Sequence, residues 1–314
     1  MPFTRKPQVF GASINTVDLG VGEKKITLGG ENVLPFHTFD APIAHKPVVG
    51  VEISDLGLEG VISDGIKAYY AGCATVVDMA KKAAEMPGAS FLTLRFEGAD
   101  PNGANKSVED CVKLAKEVAD AVDMPLVVAG CKNTEKDTAL FNAMSEALQG
   151  KNILVLSARE EDYKSVGASA GLAYGQKVGA ESAVDINLAK QLNVLMTQLG
   201  VKSESVIMNL GSAAAGYGFE YVASTLDRVT AAALGQNDTM LQMPIMTPIG
   251  AETWNVKESI MSETDMPEWG PEDQRGIQME VVTASACLVS GSNAVILKHP
   301  TSVAKIAALI DALL

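Results

Sequence analysis

The chain has 314 residues, 47% of them hydrophobic and 20% charged, with a formal net charge of -13 at pH 7. That length allows one large domain or two ordinary ones around a sizeable core, and the acidic balance argues against nucleic acid or anionic lipid as a partner, since both select basic surface. No run of about 18 uncharged apolar residues occurs, and the opening MPFTRKPQVFGASINTV has no apolar stretch before a cleavage site, so a soluble cytoplasmic protein without a membrane span or secretory leader is expected.

Residues 1–47 read as an extended segment. Two short pieces, 8–10 and 25–28, are joined by a Gly-rich stretch, and Gly29-Gly30 is a turn signal, which suggests a hairpin ahead of the main domain, 48–314. A rhythm starts at Val48. VVGVEIS (48–54) is a strand pattern; 74–86 has helical spacing and stops at Pro87-Gly88. FLTLRF (91–96) is the second strand, and its helix, 107–123, opens on Ser107 with Asp110 three residues on, a variant capping box. PLVVA (125–129) precedes a helix over 134–148, and ILVLS (153–157) precedes one over 160–174. The fifth strand, 182–186, is a weaker pattern. Its helix is clear, with Leu188, Leu192, Leu195 and Leu199 on one face and Gly200 as the stop. Strands over 206–209, 244–247 and 294–298 follow, with helices over 219–234, 278–289 and 301–314.

Eight strand–helix units at about 30-residue spacing, with strands apolar on both faces, predict an α/β fold of the (β/α)8 TIM-barrel type with a short N-terminal hairpin. A doubly wound open sheet is the rival. The number of units and the lack of a G-x-G-x-x-G turn after the first strand favour the barrel.

Sites in such barrels lie at the C-terminal strand ends. Glu97, Asp185 and Glu252 are carboxylates there by position, as a glycosidase would need. His299 is the one histidine at a strand end, a poor start for a metal enzyme and a natural helix cap. Lys298 is placed as a Schiff-base lysine would be. Cys73, Cys111, Cys131 and Cys287 lack C-x-x-C spacing, and His37, His45 and His299 make no zinc motif, so no metal or iron–sulfur cluster is expected on this chain. After the sixth strand comes MNLGSAAAGYGFEY (208–221), small, glycine-rich and almost uncharged. It offers amides to a phosphate but no lysine or arginine. The alternatives are close helix packing or a surface for a wide, mostly apolar ligand. The segment 255–276 is long for a compact barrel, which is the mark of a functional or partner-binding loop; Trp254 and Trp269 accompany it, and its acidic residues read as a solvated rim.

Six segments together, VEISDLGLEG (51–60), LRFEGADPNG (94–103), VVAGCKNTEKD (127–137), AVDINLAKQLN (183–193), MNLGSAAAGYGFEY (208–221) and QMPIMTPIGAETWNVKES (242–259), resemble the small (delta) subunit of the corrinoid iron–sulfur protein, along the whole chain. The resemblance implies a (β/α)8 barrel paired with a large subunit that carries the iron–sulfur cluster and binds most of the corrinoid. It implies a role in shielding a cobalt that accepts a methyl group from a methylated pterin, held by a methyltransferase, and delivers it to the nickel cluster of acetyl-CoA synthase. On this reading Asn209, Gly211, Ser212 and Ala213 after the sixth strand, and Thr247, Ile249 and Gly250 after the seventh, are expected to face the corrinoid. Arg95 and Arg159 are expected to bind corrin amides or partner carboxylates. The runner-up is a free-standing pterin-dependent methyltransferase, with Asp55, Asn133, Asp185 and Asn209 as pterin ligands; a metal-dependent aldolase is the third class.

Overall fold

A computed structural model describes residues 6–314. Residues 1–5, which open the segment read as lacking a leader, lie outside the described residues. After an antiparallel pair, β1 (Val17–Leu19) and β2 (Ile26–Leu28), the chain enters the barrel with β3 (Val48–Ser54). A short α1 (Asp64–Tyr69) and α2 (Val76–Ala84) return to β4 (Phe91–Arg95). The units continue as α3 (Val108–Ala121), β5 (Leu126–Ala129), α4 (Thr134–Ala147), β6 (Leu154–Ala158), α5 (Tyr163–Val166), β7 (Lys177–Glu181), α6 (Ile186–Leu199), β8 (Val206–Asn209) and α7 (Phe219–Gly235). Next come β9 (Met246–Pro248), the short α8 (Gly250–Thr253) and α9 (Lys257–Ile260), α10 (Glu272–Val289), β10 (Ala294–Leu297) and α11 (Pro300–Leu313).

The eight barrel strands are all parallel, in the order β8-β7-β6-β5-β4-β3-β10-β9. A parallel bridge between Met208 and Ile245, with Met208 N–H donating to Pro244 O at 2.8 Å, joins the two ends of the sheet. The expected TIM barrel is therefore the observed fold. Alternation along the strands sorts the apolar side chains into two cores. Leu94, Val128, Val155, Val206 and Val295 face the helices, while Phe91, Val127, Leu154, Ile207, Met246 and Ile296 fill the barrel. Gly50 makes room for that filling, because a Cβ there would lie 2.2 Å from the Phe91 ring.

Val17, Leu19 and Leu28 of the hairpin pack on the residues that fill the barrel. Asn152, at the start of β6, donates to the carbonyls of Asp18 and Gly20 at 2.9 and 3.0 Å, and Asn15 N–H donates to Gln242 O at 2.6 Å. The hairpin thus plugs the N-terminal end of the barrel, leaving the C-terminal end as the mouth. Its first strand is Val17–Leu19 rather than 8–10, and the turn is made by 20–25, not by Gly29-Gly30. The reason is burial: Val17 and Leu19 are wholly enclosed, whereas Val9 is exposed.

Four other boundaries move. The fifth barrel strand is Lys177–Glu181, not 182–186. Ala183 and Val184 adopt positive φ (46° and 64°) and turn the chain, and Asp185 caps α6 by accepting from the N–H of Asn187 and Leu188 at 2.7 and 3.1 Å. The true strand is poor in bulky residues because Gly179 packs under Leu156, where a Cβ would sit 2.8 Å from Cδ1. The helix expected over 160–174 is a short α5 continued by a π-helix, Gly167–Ala173. The strand expected over 244–247 is Met246–Pro248. Finally, α10 starts at Glu272, so the long loop is shorter than 255–276 and holds α9.

Candidate functional site

At the mouth, the ends of β4 to β9 surround a cavity of about 280 Å³. One wall is a polar chain. The Asn209 carboxamide donates to Ser157 Oγ at 2.9 Å and to Glu181 Oε2 at 3.4 Å, and Arg159 Nε donates to Glu181 Oε1 at 3.3 Å. Asn209 Oδ1 in turn accepts from the N–H of Gly211 at 3.1 Å, which folds the chain back over the end of β8. Gly211 has a φ of +84°, so the turn needs a residue free of a Cβ penalty. Beyond it, Ser212 Oγ is buried with no hydrogen-bond partner. Ala215 N–H donates to Thr283 Oγ1 at 3.1 Å, and the Tyr217 hydroxyl donates to Glu258 Oε2 at 2.6 Å, so the small neutral loop is tied to α10 and to α9.

The opposite rim is ionic. Lys132 Nζ lies 3.0 Å from Glu252 Oε1. Asp137 holds the turn after β5 by accepting from the N–H of Cys131 and Lys132 at 2.7 and 3.0 Å; burial pushes its carboxyl up. Deeper in, Arg95 Nη2 lies 2.7 Å from Glu52 Oε2, and Lys298 Nζ lies 3.4 Å from Glu52 Oε1. Burial raises the Glu52 carboxyl, but Arg95 and then Lys298 overcome that and hold it down at about 2.

Of the nine residues expected to meet a ligand, Asn209, Gly211, Ser212, Arg95 and Arg159 line this cavity. Ala213 is half-buried against the core. Thr247 and Ile249 are fully enclosed, the Thr247 hydroxyl paired with Ser292 Oγ at 2.6 Å, so neither presents a side chain at the mouth. Gly250 is a packing glycine: a Cβ there would lie 2.9 Å from Lys298 Cγ. The ends of β8 and β9 differ because β9 is followed at once by α8, which folds its last residues into the wall.

The carboxylates considered for glycosidic chemistry are separately engaged. Glu97 accepts from Ser54 Oγ at 2.7 Å, Glu252 pairs with Lys132, and Asp185 is a helix cap. Lys298 is flanked by Glu52 and, at 3.9 Å, Glu97, unlike a lysine in an apolar Schiff-base pocket. His299 caps α11, its Nδ1 accepting from Thr301 N–H at 3.0 Å. Within the pterin set, Asn209 alone lines the cavity. Asp55 accepts from Gly98 N–H at 2.8 Å and pairs with Lys106 at 3.0 Å, and Asn133 caps α4. Glu181, Ser157 and Glu52 were missed. Glu181 would have followed from a correct fifth strand, and Glu52 from its place inside an apolar strand, where a carboxylate needs a partner. Among the described residues no group of three or more His, Cys, Asp or Glu is placed to hold a metal ion, and no helix is long and apolar enough to cross a membrane.

A closed parallel barrel, plugged below and carrying a polar cavity and a small-residue loop above, defines a (β/α)8-barrel protein whose open cavity lies at the C-terminal face, where barrels of this type carry their sites. The family model described as the CO dehydrogenase/acetyl-CoA synthase delta subunit matches residues 16–298, and the chain belongs to that family. It is 30% identical over 302 residues to the acetyl-CoA decarbonylase/synthase complex subunit delta of Archaeoglobus fulgidus, covering 94% of this chain and 65% of that one. It is 33% identical over 296 residues to the subunit delta of Methanothermobacter thermautotrophicus, covering 94% and 74%. The Archaeoglobus match thus spans about two thirds of the relative's length. Among solved structures, the fold is similar to dihydropteroate synthase from Xanthomonas albilineans (TM-score 0.58, 13% identity, 95% and 98% covered). It is equally close to the Vibrio fischeri enzyme (TM-score 0.58, 11% identity, 94% and 97% covered). At such identities the likeness is one of fold alone.

Proposed function

We propose that this chain is the small subunit of a heterodimeric corrinoid iron–sulfur methyl carrier, working in the cytoplasm within an acetyl-CoA synthase system. The observation that carries the reading is the mouth itself. Its cavity, about 280 Å³, is at the lower limit for a drug-sized ligand and far too small to enclose a corrin. A barrel that serves such a cofactor must share it, covering one edge while a larger partner subunit holds the rest.

The residues present fit that edge. The loop after β8 is small and uncharged, so a flat macrocycle can approach its backbone. Ser212 Oγ is an orphaned buried hydroxyl, and the Arg159 guanidinium, held by Glu181 through Nε, is a donor suited to the amide carbonyls on a corrin rim. When bound, the corrinoid would supply the cobalt that carries the methyl group. This chain's own part is to exclude water, orient the rim amides and present a surface to partners: a large subunit bearing the iron–sulfur cluster, a pterin methyltransferase and acetyl-CoA synthase.

The test is native purification with an ultraviolet–visible spectrum and the mass of the intact complex. A larger partner subunit with corrinoid absorbance and one iron–sulfur cluster supports the reading. A colourless homo-oligomer that binds methylated pterin overturns it. One feature favours that second reading, a free-standing pterin-dependent methyltransferase: the cavity is large enough for a bicyclic heterocycle, and Glu181 and Arg159 offer it an acceptor and a donor. Binding of methylated pterin by the chain without any corrinoid decides between the two.

A further inference from the structure

A second cavity, about 390 Å³, lies beside β3 beneath the loop that follows it. It is separate in character from the mouth. Its walls are Leu56, Leu58, Ile66, Tyr70, Met79 and Trp254, four of them (Ile66, Tyr70, Met79 and Trp254) more than nine-tenths buried. Glu52, Glu97 and Lys298 meet at one polar end, and Ser54, Glu59, Ser63 and Asn255 also contribute to the lining. An apolar hollow of this size with a few convergent polar groups is the usual form of a small-molecule site.

Two features show that the hollow is built rather than left over. The overlying loop is fastened down. The Ser63 hydroxyl donates to Asp273 Oδ1, the N–H of Gly65 donates to the same oxygen at 3.4 Å, and His299 Nε2 lies 3.2 Å from Asp273 Oδ2. Because His299 Nδ1 accepts from Thr301 N–H, the ring proton sits on Nε2 and is donated to Asp273. One carboxylate thus ties α1, α10 and the cap of α11 together, which holds the roof off the floor. Moreover, Tyr70, 1% exposed, carries a hydroxyl that is buried and has no hydrogen-bond partner. Burial raises its pKa further, so it stays a neutral donor. A buried hydroxyl without a partner is uncommon and calls for one.

We propose that this cavity is a binding site for a neutral, ring-containing small molecule with a carbonyl oxygen, the ring lying among Leu58, Met79 and Trp254 and the oxygen accepting from the Tyr70 hydroxyl. Neutrality follows from the polar end. Glu52 and Glu97 are balanced there by Lys298 and, behind Glu52, by Arg95, so that end carries no net charge to recruit an ion, while the remaining carboxylate of the lining, Glu59, is exposed on the loop. The aromatic side chains of Trp254 and Tyr70 in the lining suit an aromatic or alicyclic ring. This inference is independent of the corrinoid reading, because no residue of the neutral loop after β8 takes part in it.

The test uses the full chain and the fluorescent naphthyl ketone prodan, a neutral ring compound whose emission moves to the blue in apolar surroundings. The expected result is saturable binding at one site per chain with blue-shifted emission. Tyr70→Phe, which keeps the ring and removes only the donor, should weaken binding about five- to tenfold. Leu58→Trp, on the half-exposed roof, should fill the space and abolish it, with the thermal melt showing that both variants fold. Absence of saturable binding overturns the proposal. So does binding of wild-type strength in Tyr70→Phe, which removes the basis for the ligand class. Loss of partner-subunit assembly in Leu58→Trp, without prodan binding by the wild type, would assign the hollow to a partner's apolar side chain instead.

Discussion

Arg95→Met is the perturbation that most sharply separates a structural from a ligand-binding role at the mouth. The Glu52 side chain is 1% exposed, and Arg95 Nη2 meets it at 2.7 Å. Its carboxyl lies at about 2 in the folded chain against an ordinary 4.5. A folded value below the unfolded one means that the stabilisation is complete above about 4.5 and is lost as the pH falls through 2. At about 1.4 kcal/mol for each tenfold in the proton equilibrium, that displacement is about 3 kcal/mol at neutral pH. Removing the guanidinium leaves the carboxylate buried with only Lys298, at 3.4 Å, to compensate. Breaking a buried pair from one side costs about 3–5 kcal/mol. Urea denaturation at pH 7 should therefore show a loss in that range for Arg95→Met. The variant should also gain stability as the pH is lowered toward 5, because burial now favours the protonated acid. Glu52→Gln combined with Arg95→Met removes both charges and should recover most of the loss. A single variant within about 1 kcal/mol of wild type, or a double variant no better than the single, would refute the argument and return Arg95 to the ligand-binding set.

Three further outcomes can be measured on the same chain. Glu280 is fully buried, and burial pushes its carboxyl up to about 7 despite the N–H of Lys298 and His299 that it accepts at 2.6 and 3.2 Å. A raised acid makes stability highest below about 4.5 and lower by about 3 kcal/mol once the pH passes 7, so Glu280→Gln should flatten the wild-type decline between pH 5 and 8 in denaturant titrations. Gly65→Ala would put a Cβ 2.3 Å from His299 Nε2 and 2.5 Å from Asp273 Oδ2, and the strain should cost about 1–3 kcal/mol by chemical denaturation; a neutral substitution would mean that the Asp273 tie is slack. Asp185→Ala removes the acceptor for two N–H groups at the start of α6 and should cost about 1 kcal/mol, with no effect if the residue is merely a rim charge.

The barrel was legible because its signals are periodic and redundant. Leu188, Leu192 and Leu199 define one helix face whatever the tertiary context, and Ser107 with Asp110 marks a helix start through a bond the structure contains, Asp110 N–H to Ser107 Oγ at 3.0 Å. The fifth strand was misplaced for the converse reason. KVGAE is shaped by its neighbour Leu156 and not by local propensity, while the apolar Val184 that drew the strand forward sits at positive φ in a turn. That single displacement hid Glu181. At the mouth, the glycines after β8 announced a close approach, but nothing local says that Thr247 would turn into the wall toward Ser292, a residue 45 positions away. Burial of that kind is decided by the packing of α8 and α10, which a strand pattern does not encode.

The two cavities share a wall, and the wall is electrostatic. Arg95 lines the mouth, while its partner Glu52, together with Lys298, lines the hollow beneath the loop after β3. The barrel floor is sealed by Val17, Leu19 and Leu28, so both spaces reach solvent on the C-terminal face. The Arg95–Glu52 pair between them is nearly dry and has little freedom to rearrange, because leaving either member unpaired costs several kcal/mol. It therefore fixes the side chains of both rims with respect to each other. A ligand that drew Arg95 toward the mouth would have to do so against Glu52, and Lys298 would then be the only cation left on that carboxylate. Coupling between the two sites, if each is filled, must pass through this pair, and it should vanish in the double variant that joins Arg95→Met to Glu52→Gln.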